Sequence, residues 1–213
     1  MTSKTLIQPQ EIIHLSGISW QTYETLLTEL SASRRLRLTY NRGNLEIMAP
    51  SPEHEIYKKV VGRFVETLAE ELDIRIYPLG STTFKRPELS GAEPDECFYI
   101  TNINAVRSKK RINLQQDPPP DLVVEIDVTS SSENRFQVYA EIGVPEIWRY
   151  DGNSFTIHIL QPSYKYVAVN QSLAFPNLPI REIANFLQQV GQEDYLELVR
   201  EFRKWVRSQI QQK

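Results

Sequence analysis

Few residues in this chain have both the type and the spacing for chemistry, and most of them are carboxylates. Asp95 follows Pro94 at the start of a strand pattern, with Glu93 two residues earlier. Further along, Glu125 stands inside the apolar stretch Leu122-Val123-Val124-Glu125-Ile126. An ionised carboxylate at such a place needs a partner. Asp127 is two residues on, so on a strand it points to the same side as Glu125. If the two strands are neighbours, Asp95, Glu125 and Asp127 make one acidic cluster, which repels itself unless a cation binds. Hard oxygen ligands suit Mg²⁺ or Mn²⁺. Such an ion beside a phosphodiester can activate water and stabilise developing charge.

Other signatures are missing. There is no Gly-x-x-x-x-Gly-Lys phosphate loop, no Gly-x-Gly-x-x-Gly after a strand and no Gly-x-Ser-x-Gly elbow. His54-Glu55 starts like a zinc-protease motif, but Lys58 stands where the second histidine would be. His14, His54 and His158 show no ligand spacing, and the single Cys97 can neither close an internal disulfide nor anchor zinc alone. Each candidate also has a plain structural reading. Asp95 fits a turn cap, and Glu125 fits a core ion pair with Arg135 or Lys85. Asp127 fits either a ligand or a cap of the next helix. His54 shares a helix face with Tyr57 and Val61, which reads as a core or capping histidine, while Glu55 points about 100° away, toward solvent. The basic runs Arg107-Ser108-Lys109-Lys110-Arg111 and Arg34-Arg35-x-Arg37 fit solvated loops or phosphate contacts. Neither has interleaved aromatics for stacking single-stranded bases.

The elements that must position these residues follow from periodicity. Ser19 can cap a helix carrying Trp20, Tyr23, Leu26, Leu27 and Leu30. A hairpin runs from Leu36 to Met48 through Asn41-Arg42-Gly43. Ser51-Pro52-Glu53 opens a long helix to about Leu72. Short strands are expected over 74–77, 82–84 and 95–100, then a loop from Arg107 to Pro120. The strand from Leu122 to Val128 reads as buried on both faces. A helix over 133–142 ends at Gly143, a second hairpin turns at Asp151-Gly152, and a weaker strand spans Tyr164 to Val169. Helices over roughly 180–190 and 193–210 close the chain. In the last one, Tyr195, Leu198, Val199, Phe202, Val206 and Ile210 form a stripe suited to packing on its own domain or to a homodimer surface.

Length and composition frame this. The 213 residues carry 24 Lys and Arg against 27 Asp and Glu, a net charge of −3, with 40% apolar residues. That is an ordinary globular composition and predicts one α/β domain over 1–213 around one mixed sheet, with a core at about 20–170 and a helical extension at about 180–213. The charge argues against a non-specific DNA coat protein. No apolar run is long enough to span a membrane, and Met1-Thr2-Ser3-Lys4-Thr5-Leu6 lacks the apolar stretch of a secretory signal, so a cytoplasmic location is expected.

Three blocks together carry a family resemblance: Glu93-Pro94-Asp95; Pro119-Pro120-Asp121-Leu122-Val123-Val124-Glu125-Ile126; and Tyr139-Ala140-x-x-Gly143-Val144-Pro145-Glu146-x-Trp148. Over roughly residues 20 to 190 the chain resembles the restriction-endonuclease-like PD-(D/E)XK superfamily, and is similar to its Uma-two branch of endonucleases. The resemblance implies a restriction-endonuclease-like fold, a central mixed sheet flanked by helices, and Mg²⁺- or Mn²⁺-dependent hydrolysis of DNA. It implies Asp95 and Glu125 as metal ligands, with Asp127 and His54 as further site candidates. The superfamily lysine two positions after the Glu is Asp127 here. In the Uma-two branch that lysine sits on the next helix, and the matching residue is Arg135. Arginine can orient a water or a phosphate oxygen, but it holds its proton near neutral pH and cannot serve as general base. A catalytically impaired nuclease fold that binds nucleic acid or protein is therefore the alternative. A metal-independent carboxylate hydrolase such as a glycosidase is a third reading, against which stands the lack of a surplus of aromatics for a sugar platform.

Overall fold

A computed structural model of the chain describes residues 11–30, 36–128 and 133–211. Arg34-Arg35 and the segment Met1–Leu6, both read above, lie outside the described residues. Among the described residues the strands are β1 (Glu11–Leu15), β2 (Arg37–Asn41), β3 (Asn44–Ala49), β4 (Tyr77–Pro78), β5 (Phe84–Arg86), β6 (Ser90–Ala92), β7 (Glu96–Tyr99), β8 (Leu122–Ile126), β9 (Glu146–Tyr150), β10 (Phe155–Leu160) and β11 (Tyr166–Val169). The helices are α1 (Trp20–Glu29), α2 (Pro52–Leu72), α3 (Ile103–Val106), α4 (Glu133–Ile142), α5 (Ile183–Leu187) and α6 (Tyr195–Gln211).

Local chemistry explains the strongest elements. Ser51 caps α2 by accepting from His54 N–H at 3.1 Å, and Pro52 occupies the first turn, where its missing N–H costs nothing. Asn41 and Asn44 pair across the β2–β3 hairpin, so Arg42 and Gly43 form its turn, both at positive φ (47° and 90°). That matches the twist a two-residue hairpin turn requires.

The α/β class holds, but the strands divide into two sheets rather than one. One sheet has the order β1-β3-β2-β6-β5 and is antiparallel throughout. The other has the order β11-β10-β9-β8-β7-β4 and is mixed, through the parallel pair β8–β9. The chain leaves β6 and enters β7 through Glu93-Pro94-Asp95. Pro94 has no N–H to continue a ladder, so a sheet can end there. In β6, Gly91 is required by packing: a Cβ there would lie 2.3 Å from the Tyr23 hydroxyl.

β8 is buried on both sides, as its composition predicts. Leu122, Val124 and Ile126 face a core shared with α2 and α6, while Val123 faces the core under α4. Alternation therefore turns Glu125 toward α4. The α6 stripe is used within the chain: Phe202 stacks on Phe64 at 4.0 Å, and Leu198, Val199 and Val206 are buried. Arg203 and Arg207 close that contact with ion pairs to Glu70 and Glu71. Tyr195 and Ile210, at the ends of the same stripe, stay exposed.

Candidate functional site

The site lies where the two sheets meet. β7 and β8 pair with Glu96 opposite Val124, so one further residue of the same register brings Asp95 level with Glu125. Ile126 N–H donates to Asp95 Oδ2 at 2.7 Å, which ties the crossover segment to β8. Both carboxylates are completely buried. Their neighbours come from four directions: β2 and β3 of the antiparallel sheet, α2, α4, and β9.

Around Asp95, His54 Nε2 lies 3.0 Å from Oδ2, and Arg37 forms an ion pair with Oδ1. Arg37 also reaches Glu55 Oε1 at 3.3 Å, and His54 Nδ1 lies 3.5 Å from the same oxygen. His54 is thus inside the site, on the face of α2 that its spacing predicts. Burial pushes its imidazole toward the neutral form, against the pull of Glu55. Glu55 is not simply solvated, since His54 beside it, with Lys58 and Arg37, holds its carboxyl down to about 2.

Around Glu125, the Tyr139 hydroxyl donates to Oε1, and Arg135 Nη2 lies 2.8 Å from Oε2. Arg135 reaches Asp127 Oδ1 at 3.5 Å and Glu46 Oε1 at 3.4 Å. Asp127 also accepts from Arg149 Nε at 2.5 Å, so it acts on two guanidinium groups rather than as a helix cap alone. Burial pushes the Glu125 carboxyl up, and Arg135 only partly offsets this. For Arg135 burial works against the charge, but Glu125, Tyr139 and Asp127 outweigh it and hold the proton on.

All five sequence candidates are at this site, Asp95 and His54 in one group of side-chain contacts and Glu125, Asp127 and Arg135 in another, joined by the Ile126 N–H bond to Asp95. Sequence reasoning missed Arg37, Glu46, Tyr139 and Arg149 as members. Arg37 was visible only as the end of a basic run, yet it is almost fully buried. Tyr139 lies in the Tyr-Ala-x-x-Gly-Val-Pro motif, whose pattern alone gives it no role. Lys85, an expected partner for Glu125, instead pairs with Glu24 at 2.8 Å. In the basic run at 107–111, Lys109 pairs with Asp117.

The donor set bears on a metal. Each carboxylate has one oxygen engaged by a directed hydrogen bond: Asp95 Oδ2 by Ile126 N–H, and Glu125 Oε1 by Tyr139. The other oxygen of each faces a guanidinium, and Glu125 Oε2 is buried without an aligned hydrogen bond. Among the described residues no group of three or more His, Cys, Asp or Glu side chains converges. Two hard carboxylates suit Mg²⁺, which commonly takes one or two of them and fills its octahedron with water and phosphate oxygens.

Residues 20–184 match the Uma2 family, described as "Putative restriction endonuclease". The chain is also similar to the crystal structure of a putative nuclease belonging to DUF820 from Anabaena variabilis ATCC 29413. That similarity has 15% identity and a TM-score of 0.53, over 80% of this chain and 99% of the other. At that identity it speaks to fold alone. No curated protein matches the chain.

Proposed function

The chain belongs to the Uma2 family of putative restriction endonucleases, and from that membership we propose that it is a Mg²⁺- or Mn²⁺-dependent endonuclease acting on DNA. The observation that carries this reading is the pairing of two completely buried carboxylates, Asp95 and Glu125, at the junction of the sheets, each against a guanidinium.

In this reading Asp95 and Glu125 hold the metal. When bound, the ion supplies Lewis-acid stabilisation of the phosphoryl oxygen and a more acidic water. Arg135, fixed as a cation, holds a phosphate oxygen or the attacking water by hydrogen bonding. It does not take a proton, so proton removal falls to a group of lower basicity or to solvent. His54 and the Ile126 amide orient Asp95, while Tyr139 orients Glu125. Asp127 positions Arg135 and Arg149. Scission of both strands of a duplex calls for two such sites, hence a homodimer acting on DNA. Among the described residues no helix is long and apolar enough to cross a membrane, and DNA as substrate points to a cytoplasmic setting.

Nicking of supercoiled plasmid tests this. Turnover is expected with Mg²⁺ or Mn²⁺ and none in EDTA or with Glu125→Ala. Turnover that persists in EDTA would overturn the metal assignment. One observation favours a second reading: Arg37 and Arg135 already neutralise the two carboxylates. A nucleic-acid-binding fold with impaired catalysis would bind DNA without cutting it, and Arg135→Lys would then gain activity.

A further inference from the structure

A cleft of about 930 Å³ is lined by Arg37, which pairs with Asp95, and by Glu55, Lys58, Ser81, Thr83 and aliphatic residues such as Leu38. We propose that this cleft binds a phosphodiester flanking the one cleaved, with the Lys58 ammonium as its principal contact. The proposal rests on the endonuclease reading and extends it to the path of the strand.

Lys58 follows His54 by four residues on α2, which places both on one face of the helix. Its Nζ donates to Ser81 Oγ at 3.1 Å, and Ser81 Oγ donates in turn to the Asp95 carbonyl at 3.3 Å. The ammonium is therefore two hydrogen bonds from the metal-binding segment. Only 14% of the Lys58 side chain is exposed. An ammonium has three donors. Among the described residues its ion pair within 4 Å is with Glu55, at 3.6 Å, beyond hydrogen-bond range, and Glu55 is already shared with Arg37 and His54, while Glu96 acts on it without a direct ion pair. Among the described residues the other cations of the cleft are committed, Arg37 to Asp95 and Lys85 to Glu24. The remaining acid, Glu93, accepts from Thr83 at 2.5 Å, and burial pushes its carboxyl up. Burial and the Arg37 charge also push Lys58 below the usual lysine range, against the pull of Glu55 and Glu96. A phosphate oxygen in the cleft would supply a directed anionic acceptor for the ammonium.

The test is binding of a fluorescently labelled DNA duplex by Glu125→Gln protein, compared with Glu125→Gln carrying Lys58→Gln or Lys58→Arg, across a salt series. Lys58→Gln is expected to weaken binding about five- to tenfold and to reduce the slope of log K against log salt by about 0.9. Lys58→Arg should restore the slope. Equal thermal midpoints confirm that the comparison is one of binding. If wild type nicks plasmid but Lys58→Gln matches its parent in affinity and slope, the proposal fails and the endonuclease reading stands. If wild type neither binds nor nicks DNA, the endonuclease reading fails and this proposal fails with it. Displacement of the duplex by inorganic phosphate at constant ionic strength would mark a free-anion site and overturn the proposal.

Discussion

Glu125 and Glu146 stand on adjacent parallel strands, β8 and β9, and both are completely buried. Burial pushes both carboxyls up. Their surroundings differ in kind. Glu146 accepts from Trp148 Nε1 at 2.6 Å, Leu173 N–H at 2.9 Å and Ala174 N–H at 2.8 Å. These are neutral dipoles that pin the segment after β11 to the sheet. Glu125 faces Arg135 and Tyr139, and beyond them Asp127 and Glu46, with one oxygen lacking an aligned hydrogen bond. A carboxylate satisfied by fixed dipoles has no capacity left and serves the fold. One balanced by other charges can exchange partners, and that is what metal and phosphate binding require.

The contrast is broken or sharpened by substitution. The largest effect is expected from Glu125→Gln, which should lower metal-dependent nicking about 10³-fold while leaving Tm within a few degrees. The same change at Glu146 should leave nicking intact, and equal loss of activity at both sites would erase the distinction. Next, Arg135→Ala leaves Glu125 without its guanidinium in the interior, while Asp127 keeps Arg149. A buried charge stripped of its partner costs about 3–5 kcal/mol, measurable by urea denaturation, and Mg²⁺ should restore part of that stability if the carboxylates hold it. Glu146→Gln comes third, at about 2 kcal/mol for disrupted buried hydrogen bonds, or roughly 4–8 °C in Tm, with no response to Mg²⁺.

The smallest effect is a pH dependence. The folded-state pKa of His54 lies below its unfolded value near 6.5. Above about pH 6.5 it is neutral in both states, and its contribution is kept. As pH falls below that, the unfolded chain binds the proton first and stability is lost through the folded pKa. A difference of about 1 kcal/mol between wild type and His54→Gln should therefore develop from pH 7 to pH 5. Parallel stability curves for the two proteins would show that His54 is not held neutral.

Much of this was legible beforehand because it rests on local rules. The α2 cap, the β2–β3 turn and the burial of β8 follow from Ser51-Pro52, from Arg42-Gly43 and from an apolar run. Asp95 and Glu125 stood out because one follows a proline and the other interrupts that run. β1 and β6 were not legible. Glu11–Leu15 is a short stretch that becomes a strand by pairing with β3. Ser90-Gly91-Ala92 has little strand propensity of its own and is held between β2 and β5.

The same division applies to the site. Residue types and spacing along single elements determined which acids required partners and which helix face His54 shares with Tyr57 and Val61, because side-chain direction within a strand or helix is a local property. Only the tertiary structure decided that Arg37, from the antiparallel sheet, pairs with Asp95 and that Glu46, from the same sheet, pairs with Arg135 on α4. Both pairings depend on how the two sheets meet. The physical reason is that buried charges are offset by whichever opposite charge packing brings near, and sequence separation, 89 residues between Glu46 and Arg135, carries no information about that distance.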